Sequence, residues 1–372
     1  YLGQKNKEQA CKSTTQLMWS MGFISLVITA FVYACKYWVL HGVFGQIEAD
    51  VMHHADVYLL IVTASIPFIA LYNGGAAVFR AMGNSEVSMK VSLLMNAINV
   101  SGNAILIYGF HCGTEGVAIP TLVSRFVAAF IIIKLLLKDK WSLHLERTFR
   151  FNPDWSMIRK ILSVGIPNGL ENSMFQLGKV LVLSLVSTFG TYAIAANAVS
   201  NVITLFSILP GQAICLAVTT VIARCVGAGD YEQAKYYNKK LILLTHIGMA
   251  ITIFIVFITL PFILKVYNLS EAASEATRHI IWFHGFCAIL IWAESFTLPA
   301  TFRACGDAKA CMIISTVSMW IFRVGASYIL GKNLGLGVFG VWVAMIIDWA
   351  FRSLLFGIRY FSGKWKKHAL VS

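Results

Sequence analysis

The sequence predicts an all-α integral membrane protein of two parallel-repeat six-helix bundles, with about ten of the twelve transmembrane helices present. Three observations predict this class: a shortage of charged residues, a series of long apolar segments, and an internal repeat. The 372 residues are 58% hydrophobic and only 13% charged, whereas about a quarter of the residues of a soluble domain are charged. So few charges cannot cover a water-facing surface of this length, which argues against a soluble enzyme.

Ten segments of the chain are long and apolar enough to cross a bilayer, because a helical span needs about 20 mostly apolar residues. Short polar loops separate them. The predicted spans are 15–37, 55–78, 87–110, 115–138, 158–188, 191–222, 238–265, 276–302, 309–331 and 336–361.

Basic residues concentrate in alternate loops and thereby predict the orientation of the chain. Most of the 30 Lys and Arg residues lie on the side of the first loop, while the opposite loops hold only Lys36, Lys265, Arg278 and Lys332. Cytoplasmic loops are enriched in Lys and Arg, so we expect a multi-pass protein of the inner (plasma) membrane with a cytoplasmic C-terminus. This distribution accounts for the net charge of +13 without a nucleic-acid partner.

Three motifs occur twice, 223 or 224 residues apart, which indicates a duplication. The matched segments are 1–10 with 225–234, 79–84 with 302–307, and 113–117 with 337–341. Each pair is an even number of spans apart, so the repeat is parallel. Two spans precede the second copy of the first motif and none precedes Tyr1. We therefore expect an N-terminally truncated fragment whose intact form has two further helices.

The repeat predicts the domain organisation. We expect an N-terminal lobe over 1–138 that lacks its first two helices, a cytoplasmic inter-lobe linker over 139–157, and a C-terminal six-helix lobe with a cytoplasmic tail over 158–372.

The duplicated motifs resemble those of the multidrug and toxic compound extrusion (MATE) family, bacterial branch. The resemblance covers essentially the whole chain. It rests on the twin Gly-x-x-x-x-Glu-x-Ala loops at Gly3 and Gly227, the twin Phe-Arg-Ala-x-Gly loops at Arg80 and Arg303, and the Gly-Ile-Pro sequence ending at Pro167. It implies a secondary active antiporter that exports small organic, often cationic, compounds in exchange for H⁺ or Na⁺ by alternating access. It implies no enzyme activity, a monomer, and small-molecule substrate and membrane lipid as partners.

The resemblance also implies candidate cation-coupling residues in the first lobe. Asn99 and Asn103 lie one turn apart on one helical face. Family members place Asn or Asp at these two positions, in a site with Thr121, Tyr58 and Asn73. Alternatively, these asparagines serve as hydrogen-bonding contacts between helices.

Ionisable and aromatic residues within the second lobe are further candidates, because ionisable groups inside a bilayer are costly and mark functional sites. Glu171 and Glu294 are predicted cation-coupling residues, each displaced from the position that the family favours. The candidates for lining the substrate cavity are Trp292, Lys179, Gln176 and His284. A packing role for His284 is the alternative. Asp348 and Arg352, four residues apart on the last span, are predicted to form a structural ion pair.

A lipid or lipid-linked oligosaccharide flippase of the same superfamily is the alternative function. It would need a strongly cationic cavity, and Arg125, Lys179 and Arg323 give this only weak support. The sequence contains no HExxH or GxSxG motif and no Cys/His cluster, so we expect no metal site and no cofactor other than the coupling ion.

Overall fold

The computed structural model describes residues 1–38, 40, 48–146 and 153–368. Helices joined by short turns make up this part of the chain, and it contains no β-strand. The chain forms two compact units, Tyr1–Arg159 and Lys160–Ser372.

The first unit contains five helices. They are α1 (Lys7–Trp38), α2 (Ala49–Ala64), α3 (Ile66–Ala81), α4 (Ser85–Ala104, extended by a π-helical turn at Ile105–Gly109) and α5 (Glu115–Leu136). Together α2 and α3 cover the predicted span 55–78, but they bend by 40° at Ser65. The bend lies beside Pro67, which has no backbone N–H to continue the helical hydrogen bonds.

The second unit contains seven α-helices, and π-helical turns follow two of them. The helices are α6 (Trp155–Ser187, which begins in the first unit), α7 (Thr191–Gly227), α8 (Tyr231–Tyr267), α9 (Glu271–Trp292), α10 (Leu298–Ala304), α11 (Ala308–Ser318) and α12 (Gly337–Phe361). A π-helical turn at Ala293–Thr297 joins α9 to α10, and two more, Met319–Gly325 and Tyr328–Asn333, follow α11.

The helices match the predicted spans, with one qualification. Some spans combine an α-helix with a π-helical turn, for example Glu271–Ala304 and Ala308–Asn333. Counted in this way, eight helices of the described residues are long and apolar enough to cross a membrane, or nine if the bent pair α2–α3 is one span. The remaining predicted span, 158–188, is the 33-residue helix α6, which is long enough but has no stretch as apolar as those of the other spans. Helix α6 carries Glu171 and Lys179, which are two of the predicted site residues.

The duplicated Phe-Arg-Ala-x-Gly motif folds into the same turn in both units. Gly83 and Gly306 have positive φ angles of 83° and 88°, a conformation that glycine adopts without steric cost. The N–H of the following residue bonds back to the carbonyl oxygen of Phe79 at 2.9 Å in one unit and of Phe302 at 2.9 Å in the other. Both phenylalanines are fully buried, which anchors the turn in the core of its own unit.

The described part of the predicted linker packs on the first unit. Trp141 meets Phe79 edge to face at 5.4 Å, and Leu143 is buried in the same cluster. Lys12 at the start of α1 forms a 2.7 Å ion pair with Asp154. These contacts assign the segment to the hydrophobic core of the first unit.

Candidate functional site

Three of the predicted coupling residues in the first unit form one hydrogen-bonded group between α4 and α5. Asn99 Nδ2 donates to Thr121 Oγ1 at 3.0 Å, and Asn103 Nδ2 donates to Asn99 Oδ1 at 3.4 Å. Asn103 Oδ1 is buried and has no partner in the described structure. The group consists of amides and a hydroxyl, none of which titrates near neutral pH.

Close contact between the two helices allows these short side chains to meet. A Cβ atom on Gly102 would lie 2.7 Å from Pro120 Cβ, so a larger residue would separate α4 from α5. One turn beyond Thr121, Arg125 donates through Nη1 to Ser65 Oγ at 2.6 Å, at the bend between α2 and α3.

The other two predicted residues of this group lie apart from it. Tyr58 is 41% exposed and Asn73 is also exposed. Neither takes part in the hydrogen bonds that join Asn99, Asn103 and Thr121.

In the second unit, Glu171 is held by arginines from two other helices. Arg303 Nη2 lies 2.8 Å from both carboxylate oxygens, and Arg352 Nη2 lies 3.9 Å from Oε1. Glu171 is only 8% exposed. The Glu171 carboxylate therefore lies within ion-pair distance of two guanidinium groups.

The same Arg352 reaches the π-helical turn between α9 and α10. Its Nη2 donates to the carbonyl oxygen of Ser295 at 3.4 Å. Pro299, four residues further along, has no N–H with which to bond that carbonyl, so the proline frees the acceptor that the arginine uses. Arg352 also lies over the ring of Phe296 at 4.6 Å.

The predicted direct ion pair between Asp348 and Arg352 is not formed in the described structure. Asp348 Oδ1 instead accepts a 2.5 Å hydrogen bond from Ser318, while Arg352 turns toward Glu171. Arg352 still acts on Asp348 electrostatically. A spacing of four residues on one helix is therefore not sufficient to predict a direct ion pair. Ser318 and Glu171, on neighbouring helices, are the closer partners of Asp348 and Arg352.

Glu294 lies in the π-helical turn Ala293–Thr297 and pairs with His246 of α8. His246 Nε2 is 3.0 Å from Glu294 Oε1, and its Nδ1 is 2.6 Å from the carbonyl oxygen of Ile289. Glu294 Oε2 is buried without a hydrogen-bond partner in the described residues. The two side chains remain 25% and 32% exposed. π-Helical turns of this kind occur frequently at functional sites.

His246 was not among the predicted site residues. A signal was available, since His246 is the one ionisable residue between positions 241 and 264 of the predicted span 238–265. The partnership of Glu171 with the loop residue Arg303 was also not anticipated, because their sequence separation carries no indication of contact.

Lys179 lines a cavity in the second unit together with Arg323, Asn197, Asn201 and Trp342. The cavity has a volume of about 230 Å³. Trp342 Nε1 donates to Asn197 Oδ1 at 3.1 Å. Lys179 was a predicted cavity residue, whereas the two asparagines were not.

The other predicted cavity residues do not line this cavity. His284, 2% exposed, packs edge to face against Trp342 and Trp349. Trp292, 3% exposed, stacks on Phe296 and fills the space beside Gly211 of α7. These contacts place Trp292 in the hydrophobic core, contrary to its predicted position, whereas the packing of His284 agrees with its alternative role. Gln176 is exposed and is not among the residues that surround the cavity.

A search of the described residues finds no group of three or more His, Cys, Asp or Glu side chains that would hold a metal ion.

Comparisons with known proteins identify the family. The sequence profile of the MatE family matches residues 1–105 and 167–329. A Thermotoga maritima protein named "Probable multidrug resistance protein NorM" is 25% identical over 370 residues, covering 97% of this chain and 78% of that protein. A Bacillus subtilis protein named "Probable multidrug resistance protein YoeA" is 24% identical over 375 residues, covering 99% and 80%.

Solved structures show the same fold. The outward-facing conformation of a multidrug resistance MATE family transporter of the MOP superfamily superposes with a TM-score of 0.87 and 19% identity. The superposition covers 98% of this chain and 81% of that one. With its apolar helices, its repeated turns and the match of the family profile, this chain belongs to the multidrug and toxic compound extrusion (MATE) family of membrane transporters.

Proposed function

We propose that the protein is a secondary active antiporter that exports small organic, often cationic, compounds by alternating access, in exchange for H⁺. Membership in a multidrug efflux family supports the export of small molecules. We further propose that it acts as a monomer in the inner (plasma) membrane with its C-terminus in the cytoplasm. The alternation of basic loops supports this orientation.

The pair of Glu294 and His246 carries the proposal. One carboxylate oxygen of Glu294 faces the imidazole at 3.0 Å, and the other has no partner in the described residues. An antiporter needs a group whose charge is exchanged between an ion and the substrate. A carboxylate with one open oxygen, partly exposed between two helices, meets this need.

The identity of its partner favours H⁺ over Na⁺ as the coupling ion. Carboxylate and imidazole both bind a proton, and they share one readily at a hydrogen-bonding distance. Hard cations such as Na⁺ prefer several oxygen ligands, whereas the side chain that contacts Glu294 supplies a nitrogen.

Glu171 and the asparagine group of the first unit are weaker candidates for proton exchange. Arg303 and Arg352 both lie within ion-pair distance of Glu171, so an exchanging ion would have to compete with these two contacts. Asn99, Asn103 and Thr121 carry no titratable group. We propose that these three hold substrate or orient their helices.

The test is efflux of a fluorescent organic cation from a bacterium that lacks its own pumps and expresses the complete gene. Cells with the wild-type protein should accumulate less dye than cells with the empty vector. Collapse of the proton gradient should abolish the difference, whereas collapse of the sodium gradient should preserve it.

Glu294→Gln tests the residue, because it keeps the shape of the side chain and removes its charge. We expect it to abolish proton-dependent efflux. Glu275→Gln, an exposed acid on α9, the helix that precedes this turn, is the matched control and should transport normally. Normal efflux by Glu294→Gln, or efflux that follows only the sodium gradient, would contradict the proposed coupling site.

A further inference from the structure

The cavity beside Lys179 has an unusual balance of charge. It lies between α6, α7, the π-helical turn Met319–Gly325 and α12, and two of its lining residues, Lys179 and Arg323, are cationic. No carboxylate is among its lining residues. We call this space the basic cavity.

Neither cation has an acidic partner at ion-pair distance in the described structure. Lys179 Nζ lies over the ring of Phe175 at 5.0 Å, and the guanidinium carbon of Arg323 lies over the same ring at 5.1 Å. Arg323 Nη2 also donates to the sulfur of Met345, at 3.1 Å. The acid that acts on Arg323 is Asp348, which is hydrogen-bonded to Ser318 instead.

The two cations also act on each other. Like charges in a partly desolvated site repel more strongly than in water, because the effective dielectric constant is lower. Charged side chains in membrane segments are usually paired, because an unpaired charge there is costly. An anion between Lys179 and Arg323 would remove the repulsion and supply the missing partner.

The side-chain amide of Asn197 in the basic cavity is oriented as a hydrogen-bond donor. The indole N–H of Trp342 only donates, so it fixes Asn197 with its amide oxygen toward the indole. The Asn197 amide N–H groups are then directed elsewhere and are able to donate to a ligand. Asn201, one turn further along α7, lines the same space.

The size of the basic cavity fits one part of a ligand. Its volume of about 230 Å³ is below the roughly 300–1,000 Å³ of sites that enclose a whole drug-sized molecule. Val182, Leu183 and Val341 form an apolar wall beside the two cations. This arrangement suits a charged group joined to a small apolar body.

We propose that the basic cavity binds the anionic group, a carboxylate or a phosphate, of an organic substrate. The inference rests on the proposed function in so far as the ligand is a substrate for export. The binding site is separate from the Glu294–His246 pair. It extends the substrate class from cations to zwitterions and organic anions.

Equilibrium binding to the purified protein in phosphatidylcholine nanodiscs tests the proposal without any ion gradient. The probes are dansylglycine and dansylcadaverine, which share one fluorophore and end in a carboxylate and an ammonium group. After subtraction of empty nanodiscs, the wild-type protein should bind dansylglycine at least about tenfold more tightly.

Lys179→Gln and Arg323→Gln should each weaken dansylglycine binding by about tenfold or more, because each removes a charge-assisted contact. Lys179→Arg keeps the charge and should retain binding, which separates loss of the site from misfolding. Lys332→Gln, an exposed lysine outside the cavity lining, is the matched control and should bind as the wild type does.

Addition of phosphatidylglycerol to the nanodiscs distinguishes the source of the anion. If it weakens dansylglycine binding to the wild type more than to Lys179→Gln, then the cavity accepts a lipid phosphate. An equal effect on both indicates a soluble ligand. Unchanged dansylglycine affinity in both glutamine variants, or a wild-type preference for dansylcadaverine, would overturn the proposal. Because no transport is measured, this outcome is independent of the coupling experiment.

Discussion

Substitution of Arg303 by methionine tests whether the Glu171 ion pair stabilises the second unit. Arg303 Nη2 contacts both oxygens of Glu171 at 2.8 Å, and the carboxylate is 8% exposed. Methionine keeps most of the apolar length of the side chain and removes the charge. The substitution therefore leaves a buried carboxylate without its nearest partner.

Two features of the structure set the size of the expected effect. Removal of one member of a buried ion pair costs about 3–5 kcal/mol, because the remaining charge is uncompensated. Here Arg352 Nη2 remains 3.9 Å from Glu171 Oε1, and the side chain of Arg303 is 24% exposed. Both features compensate in part for the loss. We therefore expect a loss of about 2–3 kcal/mol in the free energy of unfolding.

The measurement is unfolding by denaturant in detergent micelles, with a double-mutant cycle of Glu171→Gln and Arg303→Met. Because Gln carries no charge, the double variant should be more stable than the sum of the single losses implies. Arg278→Met, an exposed arginine of α9, is the control and should change stability by less than about 0.5 kcal/mol. A loss for Arg303→Met no greater than the control, or additive single losses, would refute the reasoning.

Two further predictions concern packing and pH. Gly211→Ala should destabilise the protein by about 1–3 kcal/mol in the same unfolding assay, since the new Cβ would lie 2.2 Å from the Trp292 ring. Gly357→Ala meets no atom within 4 Å and should be neutral or stabilising; equal effects would contradict this account. The hydrogen bond from Lys12 lowers the pKa of Asp154. The stabilisation that this pair gives the folded protein is therefore complete above the ordinary pKa range of a carboxyl group, and it is lost as pH falls through the lowered pKa. When the melting temperature is measured against pH, it should fall less in acid for Asp154→Asn than for the wild type. The same pH profile in both proteins would contradict the prediction.

The sequence was sufficient to predict the helical membrane fold because the relevant signals are local. Length and apolarity define a span, and a repeated turn motif defines the duplication. The motif at Arg80 and Arg303 folds alike in both units because the turn needs a positive φ at one position. A glycine, which adopts that conformation readily, occupies this position in each copy. The bend at Ser65 also has a local cause in Pro67.

The candidate site was predicted less completely, because its contacts join distant parts of the chain. Asn99 and Thr121 meet because Gly102 lets two helices approach closely, and the resemblance to the family pointed to both. Trp292 was expected in a cavity, but its large ring packs in the core; His284 is also buried, as its alternative packing role predicts. His246 was missed because a single histidine in an apolar span indicates a functional site only when its partner, here Glu294, is known.

Three acids of the second unit, Glu171, Glu294 and Asp348, differ in how firmly each is held, and this difference supports the roles proposed for them. Glu171 is fixed by Arg303 and lies close to Arg352, and one oxygen of Asp348 is fixed by Ser318. In the described residues, Glu294 has one hydrogen-bonding partner, the imidazole of His246, and its Oε2 has none. Ion exchange requires a carboxylate that gains and loses its counter-charge without breaking the fold. Of these three acids, Glu294 best meets that requirement. The basic cavity provides the positive charge that we propose binds the anionic group of a substrate.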